Sequence, residues 1–187
     1  MAKAQTKFLS ALILSVVAQT TFAAGSASFV GIGLGNTYAE ATNGTGQLST
    51  SSTGYRFIAG SQINPMFAVE AEYVDLGEYA GINANVGAKG LGIAGVITWP
   101  VTGMFSIFGK GGLTRIETTV SPNSNSVPST PLSDTVVGVT LGYGIQMDVA
   151  PNASICLSWD RYKTSALAGP FTDRIDMNSS GLLILRF

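Results

Sequence analysis

Most of this sequence alternates bulky apolar residues with small or polar ones, and this period of two constrains the fold more than any other feature. The alternation begins at residue 28 and recurs in segments of about ten residues, as it does in strands with two different faces. Eight such segments are present, at 28–39, 55–63, 66–75, 88–99, 105–115, 135–148, 154–163 and 174–187. The pattern predicts an all-β chain.

The charged residues keep to one parity. In the second to eighth segments the odd positions carry bulky apolar side chains, and in the first segment the apolar residues take the even positions. Charges at odd positions, such as Lys89, Arg115 and Arg161, fall at segment ends, where long side chains reach headgroups or water. The even-position charges are Arg56, Glu70, Glu72, Lys110, Asp148, Asp160, Arg174, Asp176 and Arg186.

This segregation distinguishes two kinds of eight-stranded barrel. A basic residue at the bilayer midplane costs about 2–4 kcal/mol on the lipid face of a barrel and little in its lumen. A soluble barrel such as a lipocalin would reverse the pattern, with an apolar cavity inside and charges outside. An open sheet edge in hydrocarbon would leave backbone groups without partners, so the sheet must close. The sequence therefore predicts a closed, eight-stranded antiparallel transmembrane β-barrel with its charges in the lumen.

The connections between the segments alternate in length. Tight turns fall at 64–65, 100–104 and 149–152, and long polar stretches at 40–54, 76–87, 116–134 and 164–173. Residues 121–131 are rich in Pro, Ser and Asn, which predicts a mobile loop. Short turns on one rim and long loops on the other are typical of bacterial outer-membrane barrels.

Aromatic residues gather toward the strand ends and fit two interfacial girdles. Those toward the short-turn rim are Trp99, Phe105 and Phe187, and those toward the long-loop rim are Tyr38, Tyr55, Tyr73 and Trp159.

The first 23 residues have the layout of a secretory signal peptide. Lys3 and Lys7 precede an apolar run at 8–18, and the small residues Ala23 and Ala24 follow it. The run is shorter than the ~20 residues that a spanning helix needs. We predict a cleaved signal peptide at 1–23 and a barrel domain at 24–187.

Composition excludes several classes of function. The chain has no His, the commonest general base and transition-metal ligand, and its single Cys156 cannot form an internal disulfide. Without Lys3 and Lys7 it carries eight basic against eleven acidic residues, which does not favour nucleic acid. We expect no cofactor, no metal and no enzymatic activity.

Three stretches resemble the transmembrane domain of the outer membrane protein A family. Ala59–Gly77 resembles its second and third strands joined at an Asn-Pro turn, Thr98–Thr102 its fourth-to-fifth turn, and Arg186-Phe187 the end of its last strand. The spacing matches over nearly all of the mature chain. The resemblance implies an integral protein of the outer membrane of a Gram-negative bacterium. The chain stops without the soluble peptidoglycan-binding domain of many members and so resembles the barrel-only, opacity-type members.

The last strand departs from this family in one respect. Members commonly place Gly five residues before the terminal aromatic residue, whereas here Leu182 takes that position and the glycine is Gly181. By this resemblance, recognition by the barrel assembly machinery is expected to rest on Ser180, Leu185 and Phe187.

The lumen departs from the family in a second respect. Glu70 and Lys110 match the family's lumen network, whereas Gln146 and Cys156 stand where a carboxylate and an arginine are expected. We add Gln146 to the predicted lumen network and expect Cys156 to be a small buried filler.

The interior of an eight-stranded barrel is just wide enough for side chains, so the nearly balanced lumen charges predict a structural network of ion pairs.

We expect a monomer with a structural or surface-interaction, adhesin-like role through its long extracellular loops. Its expected partners are outer-membrane lipids and lipopolysaccharide, the assembly machinery, and a host or other surface ligand at the loops. A narrow passive pore is the alternative, and a lipid-modifying enzyme a remote one.

Overall fold

The chain forms a closed antiparallel barrel in which eight strands follow one another in sequence order, as a computed structural model shows. The structure describes residues 27–43, 46–80, 84–122, 132–163 and 174–187. The strands are β1 (Ser28–Asn43), β2 (Gly46–Gln62), β3 (Phe67–Ala80), β4 (Ala84–Pro100), β5 (Phe105–Pro122), β6 (Leu132–Ala150), β7 (Ala153–Lys163) and β8 (Arg174–Arg186). The predicted fold class is confirmed. Within these ranges no helix is long and apolar enough to span a bilayer.

Side chains in the membrane-facing part of the wall follow the predicted parity. Ile93 and Leu141 point outward, with 66% and 55% of their surface exposed. Arg56 and Asp160 point inward and are almost completely buried. The outer surface is therefore apolar and the centre of the lumen polar, which a lipid-exposed barrel requires.

Strands extend further toward the long-loop rim than predicted. Asn43 of β1 pairs with Gly46 of β2, and Ala84 of β4 pairs with Pro122 of β5. The predicted loops at 40–54 and 76–87, and both ends of the one at 116–134, were therefore wrong in extent. Polar segments can continue as strands here because beyond the bilayer the outer face meets water. Three predicted features lie outside the described residues: the signal peptide at 1–23, the loop at 164–173, and the part of the predicted mobile segment from 123 to 131. Residues 121 and 122 of that segment belong to β5.

A β-bulge in β8 changes the parity of its side chains. Leu34 of β1 pairs with Gly181, but the next residue, Gly35, pairs with Ser179. The strand thus contains one extra residue at this point. Odd positions above the bulge, such as Met177, face inward, whereas below it the even position Leu182 does.

A second bulge lies in β3, between Asp75 and Glu78. It contains Gly77, whose φ of 84° lies in the left-handed region that glycine adopts without strain. Asp75 accepts a hydrogen bond from the Gly77 N–H at 3.0 Å. Beyond the bulge the parity has changed, and the Tyr79 side chain is buried.

Toward the long-loop rim the wall separates into two sheets. β2 pairs with β3 only as far as Tyr55 and Asp75, and β6 with β7 only as far as Thr140 and Tyr162. Above these points β3, β4, β5 and β6 continue as one sheet, and β8, β1 and β2 as the other. Buried apolar residues fill the space between them and form the mouth core: Ala39, Val74, Leu76, Tyr79, Ala88, Ile116, Tyr162, Ile175 and Met177.

Candidate functional site

The centre of the lumen holds five charged side chains, which we term the central cluster: Arg56, Glu70, Glu72, Lys110 and Asp160. They extend from β2, β3, β5 and β7 and are each at most 7% exposed. All five occupy inward positions because a strand turns every second side chain to the same face.

Asp160 joins the two cations of the central cluster. Its Oδ2 accepts a hydrogen bond from Arg56 Nη1 at 2.6 Å, and its Oδ1 lies 3.0 Å from Lys110 Nζ. Ser158 adds to this contact, since its hydroxyl donates to Asp160 Oδ2 and accepts from Arg56 Nη2, each at 2.8 Å. The carboxylate therefore has partners at both oxygens.

Lys110 also contacts both glutamates. Its Nζ donates to Glu72 Oε2 at 2.6 Å and to Glu70 Oε1 at 3.4 Å. The Tyr162 hydroxyl donates to Glu72 Oε1 at 2.8 Å. Buried ions are tolerated only when they are paired and hydrogen-bonded in this way. Each charge of the central cluster thus has an ion-pair partner, while Arg56 Nε and Asp160 Oδ1 are buried without a hydrogen bond among the described residues.

A second polar group lies nearer the short-turn rim. Asp148 accepts hydrogen bonds from Gln146 at 3.0 Å, from Ser154, and from Arg186 at 3.4 Å. Its side chain is 40% exposed. The Cys156 thiol faces Gln146 Oε1 at 3.8 Å. A cavity of about 70 Å³ separates this group from the central cluster.

Asp176 was predicted for the lumen, and the structure corrects this. It pairs with Arg161 on the outer surface, at 2.8 and 2.9 Å, and the Arg161 guanidinium stacks 4.6 Å above the Trp159 ring. The β8 bulge explains the error because it reverses which positions face inward above Gly181. The Arg174 side chain, also predicted for the lumen, lies outside the described residues.

The mouth core closes the lumen above the central cluster. Val74, Leu76, Tyr162 and Met177 have no exposed surface. Burial raises the pKa of Tyr79, which lies beyond the charged rim at Lys89, to about 12. Its phenol stays protonated at neutral pH, so the core is uncharged there.

Sequence reasoning missed several residues of the site. Ser158 and Tyr162 occupy the inward parity of β7 and could have been found by extending the rule from charges to hydroxyls. The contact between the Thr114 and Thr140 hydroxyls, at 2.6 Å, is of the same kind. Tyr79 lies beyond the β3 bulge, where the alternation has changed parity. Leu76 keeps the even, inward parity of β3 and was missed because the sequence placed it in the loop at 76–87.

Leu185 and Phe187, predicted to take part in assembly, both point outward near the end of β8 and are 44% and 63% exposed. The Ser180 side chain lies outside the described residues. Among those that are described, no group of three or more Cys, Asp or Glu residues could hold a metal ion.

A closed barrel with an apolar outer wall and a filled polar lumen defines the class of small eight-stranded transmembrane barrels. The chain belongs to the outer membrane protein beta-barrel domain family, whose model matches residues 9–182. It is therefore an integral protein of the outer membrane of Gram-negative bacteria. No curated protein matches the chain in sequence.

Solved structures share the fold. Neisserial surface protein A has a TM-score of 0.66 at 14% identity, covering 86% of this chain and 99% of that one. For Ail, the attachment invasion locus protein of Yersinia pestis, the TM-score is 0.60 at 16% identity, covering 87% and 99%. For the N-terminal barrel of Pseudomonas aeruginosa OprF it is 0.58 at 14% identity, covering 86% and 97%. At these identities the likeness shows the fold alone.

Proposed function

We propose that this barrel serves as a monomeric platform for interactions at the cell surface, through the connections at its long-loop rim. The filled lumen is the observation that carries this proposal. The mouth core and the central cluster lie one above the other, and the described residues of both are buried. Strands that continue beyond the bilayer would raise the ends of the connections above the membrane.

The alternative of a narrow passive pore finds no support in this arrangement. A solute would have to cross an apolar core of fully buried side chains and then a cluster of paired ions. Single-channel recording in planar bilayers tests this directly. We expect no reproducible conductance from purified monomer, and regular steps would favour the pore.

No catalytic role is proposed. The carboxylates at the centre are engaged by Arg56, Lys110, Ser158 and Tyr162, and the chain has no His to complete a proton-transfer set. Turnover of labelled lipid A that is lost in Glu70→Gln would contradict this view.

The charge of the connections between the strands limits the kind of ligand. The connections at 44–45, 81–83, 123–131 and 164–173 contain one acidic residue, Asp173, and no Lys or Arg. One structure of Ail contains the heparin analogue sucrose octasulfate. The connections of this chain have no cationic group to attract a sulfated glycan, and their polar, nearly uncharged composition favours neutral protein surfaces.

Binding of intact cells tests the proposal. Cells with and without the protein are compared on immobilised host proteins, with immobilised heparin as the polyanion control. A variant lacking 123–131, between β5 and β6, keeps all eight strands and should lose part of the binding. Equal binding by cells without the protein would refute a surface role.

Outer-membrane lipids and lipopolysaccharide are the proposed partners of the outer wall. We assign recognition by the barrel assembly machinery to Leu185 and Phe187 together with Ser180. Phe187→Ala should slow assembly, measured as the fraction of heat-modifiable folded protein in the membrane. Leu132→Ala, far from the last strand, is its control.

A further inference from the structure

The apolar outer surface of the wall continues beyond the strand ends at the short-turn rim. The three short connections and the residues beside them, at 62–67, 100–105 and 149–153, contain no charged residue. They carry four bulky apolar side chains that are roughly half exposed or more, which we term the turn tips: Ile63, Val101, Met104 and Val149. The turn tips thus extend the apolar surface of the membrane-spanning wall.

The first of these turns satisfies its own backbone donors. The Asn64 carboxamide oxygen accepts hydrogen bonds from the N–H groups of Met66 and Phe67, both at 2.9 Å. The N–H groups of Ile63 and Asn64 donate to Phe67 O at 2.8 and 3.2 Å. Pro65 has no N–H, so every backbone donor from Ile63 to Phe67 is engaged within the turn.

The second turn uses a hydroxyl for the same purpose. Thr102 Oγ1 accepts from the Met104 N–H at 3.3 Å and from the Phe105 N–H at 3.0 Å. The N–H groups of Val101 and Thr102 donate to Phe105 O at 2.9 and 3.0 Å, and Met104 O accepts from the Asp148 N–H. A turn whose backbone groups are paired in this way loses little when it leaves bulk water, because unpaired groups are what make that transfer costly.

The aromatic girdle indicates the depth of the turns in the membrane. Trp99 is exposed on the outer wall, and its ring favours the membrane–water interface. Val101 lies two residues further along the chain. At about 3.3 Å of rise per residue and a strand tilt of about 40°, Val101 lies no more than about 5 Å beyond Trp99. The interfacial region of each leaflet is about 5–7 Å thick, so this turn ends inside it.

The opposite rim shows how the wall of this chain ends in water. There the outward positions carry Lys89, Arg115 and Glu117, and all three side chains are exposed. The outward side chains beside the short turns, such as Phe67 and Trp99, are apolar instead. The two ends of the wall therefore match different media.

We propose that the turn tips are embedded in the inner leaflet of the outer membrane, in contact with the glycerol and upper acyl-chain region of its phospholipids. Their continuity with the lipid-facing wall, their paired backbone and their lack of charge favour this partner over a periplasmic protein. Without Lys or Arg the turns need no anionic lipid, so a zwitterionic phospholipid suffices. The proposal concerns the rim opposite the long connections and is independent of the surface role.

Embedded turn tips would set the height of the whole barrel. The lower end would be held in the inner leaflet, so the strand length that exceeds the bilayer would all project on the other side. β5, for example, continues from Arg115 to Pro122 beyond the hydrocarbon. The short-turn rim would then position the long-loop rim above the cell surface.

Paramagnetic NMR on the full barrel in phosphatidylcholine nanodiscs tests the proposal. One sample contains a lipid with a nitroxide on the upper acyl chain, and the other a water-soluble gadolinium chelate. The methyl signals of Ile63, Val101 and Val149 should lose most of their intensity with the nitroxide lipid and keep most of it with the chelate. Ile93, on the lipid face, and Val137, beside Arg115, calibrate the two agents.

Two variants at one position test the role of charge at the turn tips. Val101→Glu should draw the turn toward water, so that the chelate broadens the Met104 methyl signal. Val101→Thr has a similar size and no charge and should leave that signal as in the wild type. The heat-modifiable gel shift verifies that both variants fold.

Three results would overturn the proposal: broadening of the turn-tip methyl signals by the chelate as strong as that of Val137, protection of these signals from both agents, or equal spectra of the two Val101 variants. The second would mean that the chain itself, rather than lipid, covers the turns. None of these results would affect the surface role, since the cell-binding assay measures the opposite rim. Loss of cell binding would likewise leave the turn tips in the membrane.

Discussion

The centre of the lumen and its mouth are both buried, yet they are filled by opposite chemistry. Around the central cluster the inward side chains are charged and the outward ones apolar. In the mouth core the inward side chains are apolar, and residues such as Asp176 and Glu117 point outward. The same strands therefore change from the pattern of a membrane protein to that of a soluble one.

β5 illustrates this change along a single strand. Lys110 and Thr114 face the lumen at the level of the bilayer, and Leu113 faces lipid. Two residues beyond Thr114 along the strand, Ile116 faces inward, while its neighbours Arg115 and Glu117 face outward. The medium outside the wall determines which side chains face inward. Burying an apolar side chain is favourable when the outer face meets water, but it gains little when the outer face meets lipid.

Removing one partner of the central cluster should produce the largest effect. Asp160→Ala leaves Arg56 and Lys110 without their shared carboxylate, and a broken buried pair costs about 3–5 kcal/mol. We expect unfolding at a lower urea concentration than in the wild type, with the folded fraction measured by the heat-modifiable gel shift. Asp148→Ala, at a partly exposed carboxylate, is the control and should cost under about 1 kcal/mol. Similar midpoints for the two variants would contradict the paired, buried centre.

The mouth core should respond to loss of volume rather than of charge. Leu76→Ala removes a fully buried side chain and should cost about 2–4 kcal/mol of unfolding free energy. Insertion of the variant barrel into the membrane should be unchanged, since Leu76 faces neither lipid nor the central cluster. Stability equal to the wild type in the same urea titration would mean that the mouth is not packed.

The outer wall should tolerate charge above the bilayer and not within it. Leu141→Arg places a cation on the lipid face and should cost about 2–4 kcal/mol, whereas Val137→Arg, beside Arg115, should cost about 0–1 kcal/mol. The yield of folded barrel in liposomes measures both. The reverse order would move the membrane boundary away from the level of Arg115.

A small change is expected at Asp176, which was predicted to face the lumen and instead lies on the outer surface of the barrel. Asp176→Ala breaks a partly exposed ion pair with Arg161 and should cost about 1 kcal/mol or less. A loss as large as that of Asp160→Ala, in the same unfolding assay, would return Asp176 to the lumen and remove the β8 bulge.

Period-two reasoning predicted the fold and the inward positions of Arg56, Lys110 and Asp160 because an unbroken strand allows only two directions for a side chain. It misplaced Asp176 because one inserted residue reverses that choice and leaves no mark in composition. It missed Tyr79 for a related reason, since the bulge at Gly77 interrupts the count. Leu76 obeys the count and was missed because the polar stretch from 76 to 87 was taken for a loop. The lengths of the strands toward the long-loop rim were underestimated because strand segments that lie above the bilayer are rich in Ser and Thr, a composition that also predicts loops.

The division of the rim into two sheets has an evolutionary consequence. Above the bilayer no described backbone pairing joins β6 to β7, so the β5–β6 hairpin belongs to one half and the β1–β2 hairpin to the other. A substitution or insertion in the tip of one hairpin is therefore expected to leave the backbone pairing of the other unchanged, so the two halves of the rim can change independently of each other and of the wall below.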